Sequence, residues 1–208
     1  MTGAKLRQAD LWKASLTAAE INGADFTRAN LEDACLKGLK LRLARFDEAR
    51  FGGADLFGCD LEGMELDAPD FHDANLEKAL LTDSIMPRAN FLGANLREAG
   101  LAQVDWPGAC LRDANLQGAS FHLGTTRSGL VQSPIACEGS RTGFYTDEYG
   151  EQDFKNPEEI RKANLRGANL LGANVFNADF YLVDLRDAIY NPGQAEHFRR
   201  CGAILSKR

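Results

Sequence analysis

Three histidines (His72, His122 and His197), five cysteines and thirty carboxylates are the side chains with which this 208-residue sequence could do acid–base, nucleophilic or metal chemistry. Each of those chemistries needs a second group close by: a base beside the nucleophile, a carboxylate beside the imidazole, or several ligands converging on an ion. None of the histidines has another His, Cys or paired carboxylate at a recognised ligand spacing. The sequence contains no G-x-S-x-G, P-loop or H-E-x-x-H motif. Cys35, Cys59, Cys110, Cys137 and Cys201 are odd in number and widely spaced, with no C-x-x-C pair. They read as free thiols, not as a metal site, a redox pair or a disulfide framework. Asp147, Glu148, Glu151 and Asp153 form an acidic cluster that could face a cation. Their order is not that of an EF-hand, so the cluster reads as a solvated loop. The expectation is a protein that is not an enzyme, with no cofactor and no metal.

Many of the other carboxylates belong to a pattern. Every fifth residue from Leu6 to Phe121 is apolar, and 21 of the 24 are Leu or Phe. Two residues before each stands Ala in 18 of 24 cases, and the exceptions (Leu39, Cys59, Met64, Pro69, Ser84, Val104) are all uncharged. Between the two columns Asp or Asn is the commonest residue, as at Asp10, Asp25, Asn30, Asp55, Asn75, Asn90 and Asn95. A five-residue period suits neither regular element. On an α-helix it would smear the leucines around the cylinder, and on a strand it would send alternate leucines to water. A chain that turns a corner every five residues buries them all. Gly recurs two residues after the Leu or Phe (Gly23, Gly38, Gly53, Gly58, Gly63, Gly93, Gly108, Gly118), where a turn asks for unusual backbone angles. The recurring carboxylates are therefore structural, and side-by-side pairs among them do not signal an acid/base site.

The segments "LEDACLKGLK", "ANFLGANLREAG" and "ANLRGANLLGAN" resemble the A(D/N)Lxx signature of the pentapeptide-repeat family, over about 150 residues. The resemblance implies an all-β fold, a right-handed quadrilateral β-helix with 20 residues per coil, and a bacterial setting, with a cyanobacterial one as an option. Residues 1–121 then form about six coils, stacked at roughly 4.8 Å. Residues 20 apart fall into columns. Leu16, Leu36, Leu56, Leu76, Leu96 and Leu116 make a leucine ladder; Phe51, Phe71 and Phe91 stack on another side, and Phe26 and Phe46 on a third. These aromatics read as core, not as a cofactor pocket.

From His122 to Ile160 the pattern fails, for longer than a connecting loop normally runs. It resumes at Ala163-Asn164-Leu165 in a shifted frame, which marks an insertion rather than a decayed repeat. The expected divisions are a solenoid over 1–121, a non-repeat insertion over 122–160, a solenoid continuation over 161–191, and a helical cap with its tail over 192–208. The helix itself is expected over 192–205, from a Pro near its start and an apolar stripe of Phe198, Cys201 and Leu205. Repeats begin at Ala4 with no cap before them, so the N-terminal end either stacks on a partner or is preceded by an extension in the natural protein.

The formal charge of −6 is too mild for direct nucleic-acid binding. It is distributed as −6 over residues 1–121, −4 over 122–160 and +4 over 161–208. No stretch approaches the roughly 20 apolar residues of a membrane span, and the N-terminus lacks the apolar core of a secretory signal. A cytoplasmic location without membrane contact is the expectation. Function is then sought among outward residues. Phe144, Tyr145, Asp147, Glu148 and Tyr149 give the insertion an aromatic–acidic composition suited to an interface, and Trp12, Phe57, Leu80, Ile85 and Leu92 are apolar residues at outward positions. The first reading is a non-catalytic scaffold that binds an unknown protein partner through the insertion and adjacent faces, with homodimer formation through a solenoid end or the C-terminal helix as an option. The alternative is a DNA mimic that binds a type II topoisomerase, as the Qnr-type members of the family do. The outward charges of the four sides, taken in order from Leu6, sum to −1, −3, 0 and −2. That falls short of the continuous anionic stripe a duplex mimic would present.

Overall fold

The computed structural model describes residues 1–121 and 162–206. The repeating unit is a four-residue turn followed by one bridging residue. In the first unit the Ala9 N–H donates to Leu6 O at 3.1 Å, closing the turn Leu6–Ala9, and the third residue of the turn, Gln8, has φ 58°. The bridging residue then pairs with the next coil. Lys5 forms a parallel bridge with Asp25, supported by Leu6 N–H to Asp25 O at 2.8 Å and Asp25 N–H to Ala4 O at 2.9 Å. Partners 20 residues apart recur on all four sides, so each coil has 20 residues. Among the described residues every β contact is an isolated parallel bridge, because a five-residue side spends most of its length turning.

The left-handed backbone at the third turn residue extends far beyond the glycines. Among the described residues seventeen non-Gly positions share it, including Lys13, Arg28, Glu48 and Leu182. That conformation costs an L-residue roughly 1–2 kcal/mol, so the coil-to-coil bonds on either side must hold it in place. At Leu41–Leu43 a single 3-10 turn replaces the usual corner.

The repeating sides enclose an apolar core. Leu16, Leu36, Leu56, Leu76, Leu96 and Leu116 are buried in one column. Phe51 stacks on Phe71 at 4.9 Å and Phe71 on Phe91 at 5.3 Å, while Phe26 stacks on Phe46 at 4.9 Å. The two stacks are joined: Phe46 meets Phe51 at 5.4 Å, and Phe91 stacks on Trp106 at 4.6 Å. The result is one aromatic run from Phe26 to Trp106.

After Ser120 the ladder continues with Asp179, 59 residues on, and Asn115 likewise pairs with Asn174. The register thus closes over 39 residues beyond one coil, while side-to-side geometry is unchanged. The insertion proper, 122–160, lies outside the described residues, as do 161, 207 and 208.

At the C-terminal end the helix α1 spans Pro192–Arg200. Pro192 occupies its first turn, and Asn191 and Gln194 form a reciprocal capping box. Phe198 is fully buried and meets Phe180 at 4.7 Å and Tyr190 at 5.2 Å. The helix is shorter than the 192–205 read from the apolar stripe. Gly202 turns the chain at φ 79°, and Ile204 returns to the solenoid to bridge Asp184. Leu205 therefore falls into the column of Leu185, 20 residues earlier, and not on the helix.

Candidate functional site

The Asp/Asn column forms hydrogen bonds along the rod axis. On the third side (the side of Leu16) Asn75 Nδ2 donates to Asp55 Oδ1 at 3.0 Å, Asn95 to Asn75 at 3.1 Å, Asn115 to Asn95 at 3.2 Å and Asn174 to Asn115 at 3.1 Å. Each Oδ1 also accepts the backbone N–H two residues on, as Asn95 does from Arg97 at 3.2 Å. The ladder ends at the Asp55 carboxylate, which Lys37 meets at 2.9 Å. A second, shorter ladder joins Asn90 to Asp70 at 2.8 Å, and a third Asn164 to Asp105 at 2.7 Å.

Other carboxylates pair with basic residues. Arg28–Glu48 at 2.9 Å, Arg42–Asp60 at 2.7 Å, Arg88–Asp67 at 2.6 Å and Arg97–Glu77 at 2.9 Å all link neighbouring coils. Arg28–Glu48 and Arg88–Asp67 are exposed on both partners, whereas Asp60 and Glu77 are partly buried beside their arginines, so solvent screens the first two pairs most. The Thr27 hydroxyl and backbone hold the Asp25 carboxyl below the usual carboxylate range, and the Arg28 and Glu48 side chains each favour the other's charged form.

Contrary to the expectation that no histidine has a cysteine near it, the structure brings His197 and Cys201 together, one turn apart on and just after α1; His72 and Cys59 stand elsewhere along the rod. His72 lies on the second side, where its Nδ1 meets Asp70 Oδ1 at 2.9 Å, and that hydrogen bond raises its pKa. The ring covers Gly52 so closely that a Cβ there would come within 2.2 Å of it. His197, on α1, reaches Ala178 O at 3.3 Å and Cys201 Sγ at 3.6 Å. Cys59 is fully buried and donates to Leu36 O at 3.0 Å; burial pushes its thiol up to about 11, away from nucleophilic thiolate character. Among the described residues no group of three or more His, Cys, Asp or Glu is placed to hold a metal ion.

The outward apolar residues are also dispersed. Trp12 is 54% exposed on the second side, held by its Nε1 donating to Asp33 Oδ2 at 3.2 Å and by Lys13 Nζ, 4.1 Å from the ring centroid. Phe57 is on the third side, Leu80 on the fourth, and Ile85 on the first, where it is half-buried. Trp12, Phe57, Leu80 and Ile85 thus occupy four different sides, and only Leu80 and Ile85 adjoin. Leu92 is exposed on the second side. Phe144, Tyr145, Asp147, Glu148 and Tyr149 lie outside the described residues.

Sequence reasoning missed three exposed apolar residues in the resumed block: Phe176 is 63%, Ile189 53% and Leu171 36% exposed. The signal is in the sequence: Leu171 and Phe176 each follow an inward residue and Ile189 precedes one, the outward positions of the first block.

The family model of pentapeptide repeats matches the chain in eight copies, over residues 1–33, 24–63, 65–101, 94–122 and 160–189. Comparison with curated proteins finds no match. Among solved structures the chain is similar to trypsin-treated QnrB1, a plasmid-mediated fluoroquinolone resistance protein, with 19% identity over 99% of this chain and 91% of that one, at a TM-score of 0.36. It is similar to the pentapeptide repeat protein Rfr23 from the cyanobacterium Cyanothece 51142, with 19% identity over 88% and 91% and a TM-score of 0.34. HetL, involved in heterocyst differentiation regulation in Nostoc sp. strain PCC 7120, shares 22% identity over 98% and 86%, with a TM-score of 0.25.

Proposed function

This chain belongs to the pentapeptide-repeat family, and on that premise we propose that it is a non-catalytic scaffold for protein–protein interaction, binding its partner through the 122–160 insertion and the adjacent solenoid faces. One observation supports the reading above others: the repeating Asp and Asn side chains are tied into bonds between coils, as in the ladder from Asp55 to Asn174. Those groups build the rod, whereas the exposed side chains of Leu80 and Leu92 can make no such bond between coils. A rigid rod carrying a long insertion at one corner is a framework on which loops bind. Among the described residues no helix is long and apolar enough to cross a membrane.

Mimicry of duplex DNA is the less favoured reading. It requires an unbroken anionic face, whereas Glu48, Asp60, Asp67 and Glu77 each have an arginine partner. A gyrase supercoiling assay separates the two readings, because a topoisomerase-binding mimic inhibits at micromolar protein and the scaffold does not. The scaffold itself is tested by affinity capture with the full chain and with residues 140–154 deleted. Loss of a specific partner on deletion is the expected result; an unchanged partner list removes the insertion from the interface.

A further inference from the structure

On the fourth side, the rung between the first and second coils is broken. Glu20 and Lys40 form no bridge among the described residues, although Lys40 pairs with Asp60 in the next coil. The two bonds that would accompany such a bridge, Ile21 N–H to Lys40 O and Lys40 N–H to Ala19 O, are absent there as well. The 3-10 turn Leu41–Leu43 stands at this rung, and Gly23 N–H donates to Leu43 O at 2.6 Å where the repeat would offer Arg42 O.

That rung carries Asn22–Gly23, the single Asn-Gly pair in the sequence. Every other Asn is followed by Leu, Phe, Val, Ala or Pro. The first four set a Cβ beside the nitrogen that could attack an Asn amide, and Pro removes its N–H. Asn22 and Gly23 are both exposed, and a Cβ built on Gly23 would meet nothing within 4 Å. The turn is closed by Ala24 N–H to Ile21 O at 2.9 Å, with φ 68° at Gly23 and no positive φ at Asn22. That is type II geometry, in which the second residue has ψ near about +120°. For Gly23 N to reach Asn22 Cγ it must eclipse Cβ, at ψ near about −120°, so the peptide plane has to turn by roughly 120°. Turning it breaks Gly23 N–H to Leu43 O, and also Gly3 N–H to Asn22 O at 2.9 Å. The folded corner thus holds the nucleophile away from the amide, but with few bonds, at a rung that lacks its bridge.

We propose that Asn22–Gly23 is a site of spontaneous deamidation, reached through local opening of this corner and independent of the scaffold reading. Gly23 N gives up its proton and bonds to Asn22 Cγ. The Cγ–Nδ2 bond breaks, and Nδ2 leaves as ammonia with that proton. Water then opens the succinimide. Cleavage of the new Cγ–N bond leaves Asp at this position, whereas cleavage of the backbone C–N bond leaves an isoaspartyl link with the chain routed through Cγ. Either product adds a carboxylate to the fourth side, and the isoaspartyl link also lengthens the backbone of a corner on which the coil register depends.

The full chain is incubated in mildly alkaline buffer without guanidinium chloride, in guanidinium below the unfolding transition, and in guanidinium above it. Peptide mapping by mass spectrometry follows Asp and isoaspartyl products at position 22. That position is expected to be modified before any other Asn, at least about tenfold more slowly without denaturant than above the transition. Opening one corner exposes little surface, so denaturant below the transition is expected to change the rate by no more than about twofold. Equal rates in the folded and unfolded chain would mean that the turn does not hold the amide away. A rate rising in proportion to the unfolded fraction would mean global opening, and earlier modification of another Asn would deny this site its distinction. Each of these results overturns the proposal.

Discussion

Gln194 offers the sharpest test of how the solenoid end is closed. The residue is 9% exposed and its side chain makes three bonds: Oε1 accepts from Asn191 N–H at 2.7 Å, and Nε2 donates to Leu170 O and Ala173 O. Truncation by Gln194→Ala removes all three at about 1 kcal/mol net each, a loss of about 3 kcal/mol. Gln194→Glu is the discriminating change. A carboxylate keeps the capping bond to Asn191 and gains up to about 1 kcal/mol from the helix N-terminus. It also sets an anionic oxygen against two carbonyls that have lost their donor, which costs about 1–3 kcal/mol for each group left unpaired. If the residue served only the helix, Glu would be neutral or stabilising. Because it also satisfies the solenoid edge, Gln194→Glu is expected to destabilise by at least about 1 kcal/mol. In a rod held by nearest-neighbour contacts the loss can appear as local opening, so amide exchange at Cys201, Ala203 and Ile204 is to be read beside urea unfolding. Wild-type exchange and unfolding in Gln194→Glu would refute the reasoning.

Phe71→Ala, in the middle of the aromatic run, is expected to cost about 3–5 kcal/mol in urea unfolding, while Leu92→Ala on the outside changes stability by no more than about 0.5 kcal/mol. Similar values for the two would mean that the stack is not the core. His72 ties stability to pH. Its hydrogen bond to Asp70 raises the folded-state pKa, so its contribution is fully present below the unfolded value of about 6.5 and is lost as pH rises through the folded value. Unfolding free energies across that window are expected to fall more steeply for wild type than for His72→Gln, and a His72 resonance titrating at or below about 6.5 would contradict the geometry.

The period, the inward columns and the family were legible because one residue choice in five is dictated by burial, and burial depends on residue type alone. Corners were only partly legible. Glycine flags a left-handed residue, but Lys13, Arg28 and Glu48 adopt the same φ without any compositional mark, since bonds to neighbouring coils impose it. The joining of two phenylalanine stacks was hidden because Phe46 and Phe51 stand on adjoining sides, a contact across the core rather than along a column. Gln194 was invisible for a related reason. In sequence it is one polar residue in a short helix, and its bonds go to carbonyls 21 and 24 residues away. Of the candidate interface, Trp12, Phe57, Leu80 and Ile85 were readable as outward residues, but their scatter over four sides follows from the coil and not from any one residue's identity.

The ladder from Asp105 to Asn164 and from Ser120 to Asp179 is in step although 39 extra residues intervene. A corner therefore behaves as a splice point: sequence of any length whose two ends meet there leaves the phase of the rod intact. Coils added or removed in twenties change only the rod's length, and segments inserted at corners change only what it displays. Reach and display can consequently diverge independently in such a chain, and foreign segments placed at the Phe121–Lys162 junction would be carried at a fixed height and bearing.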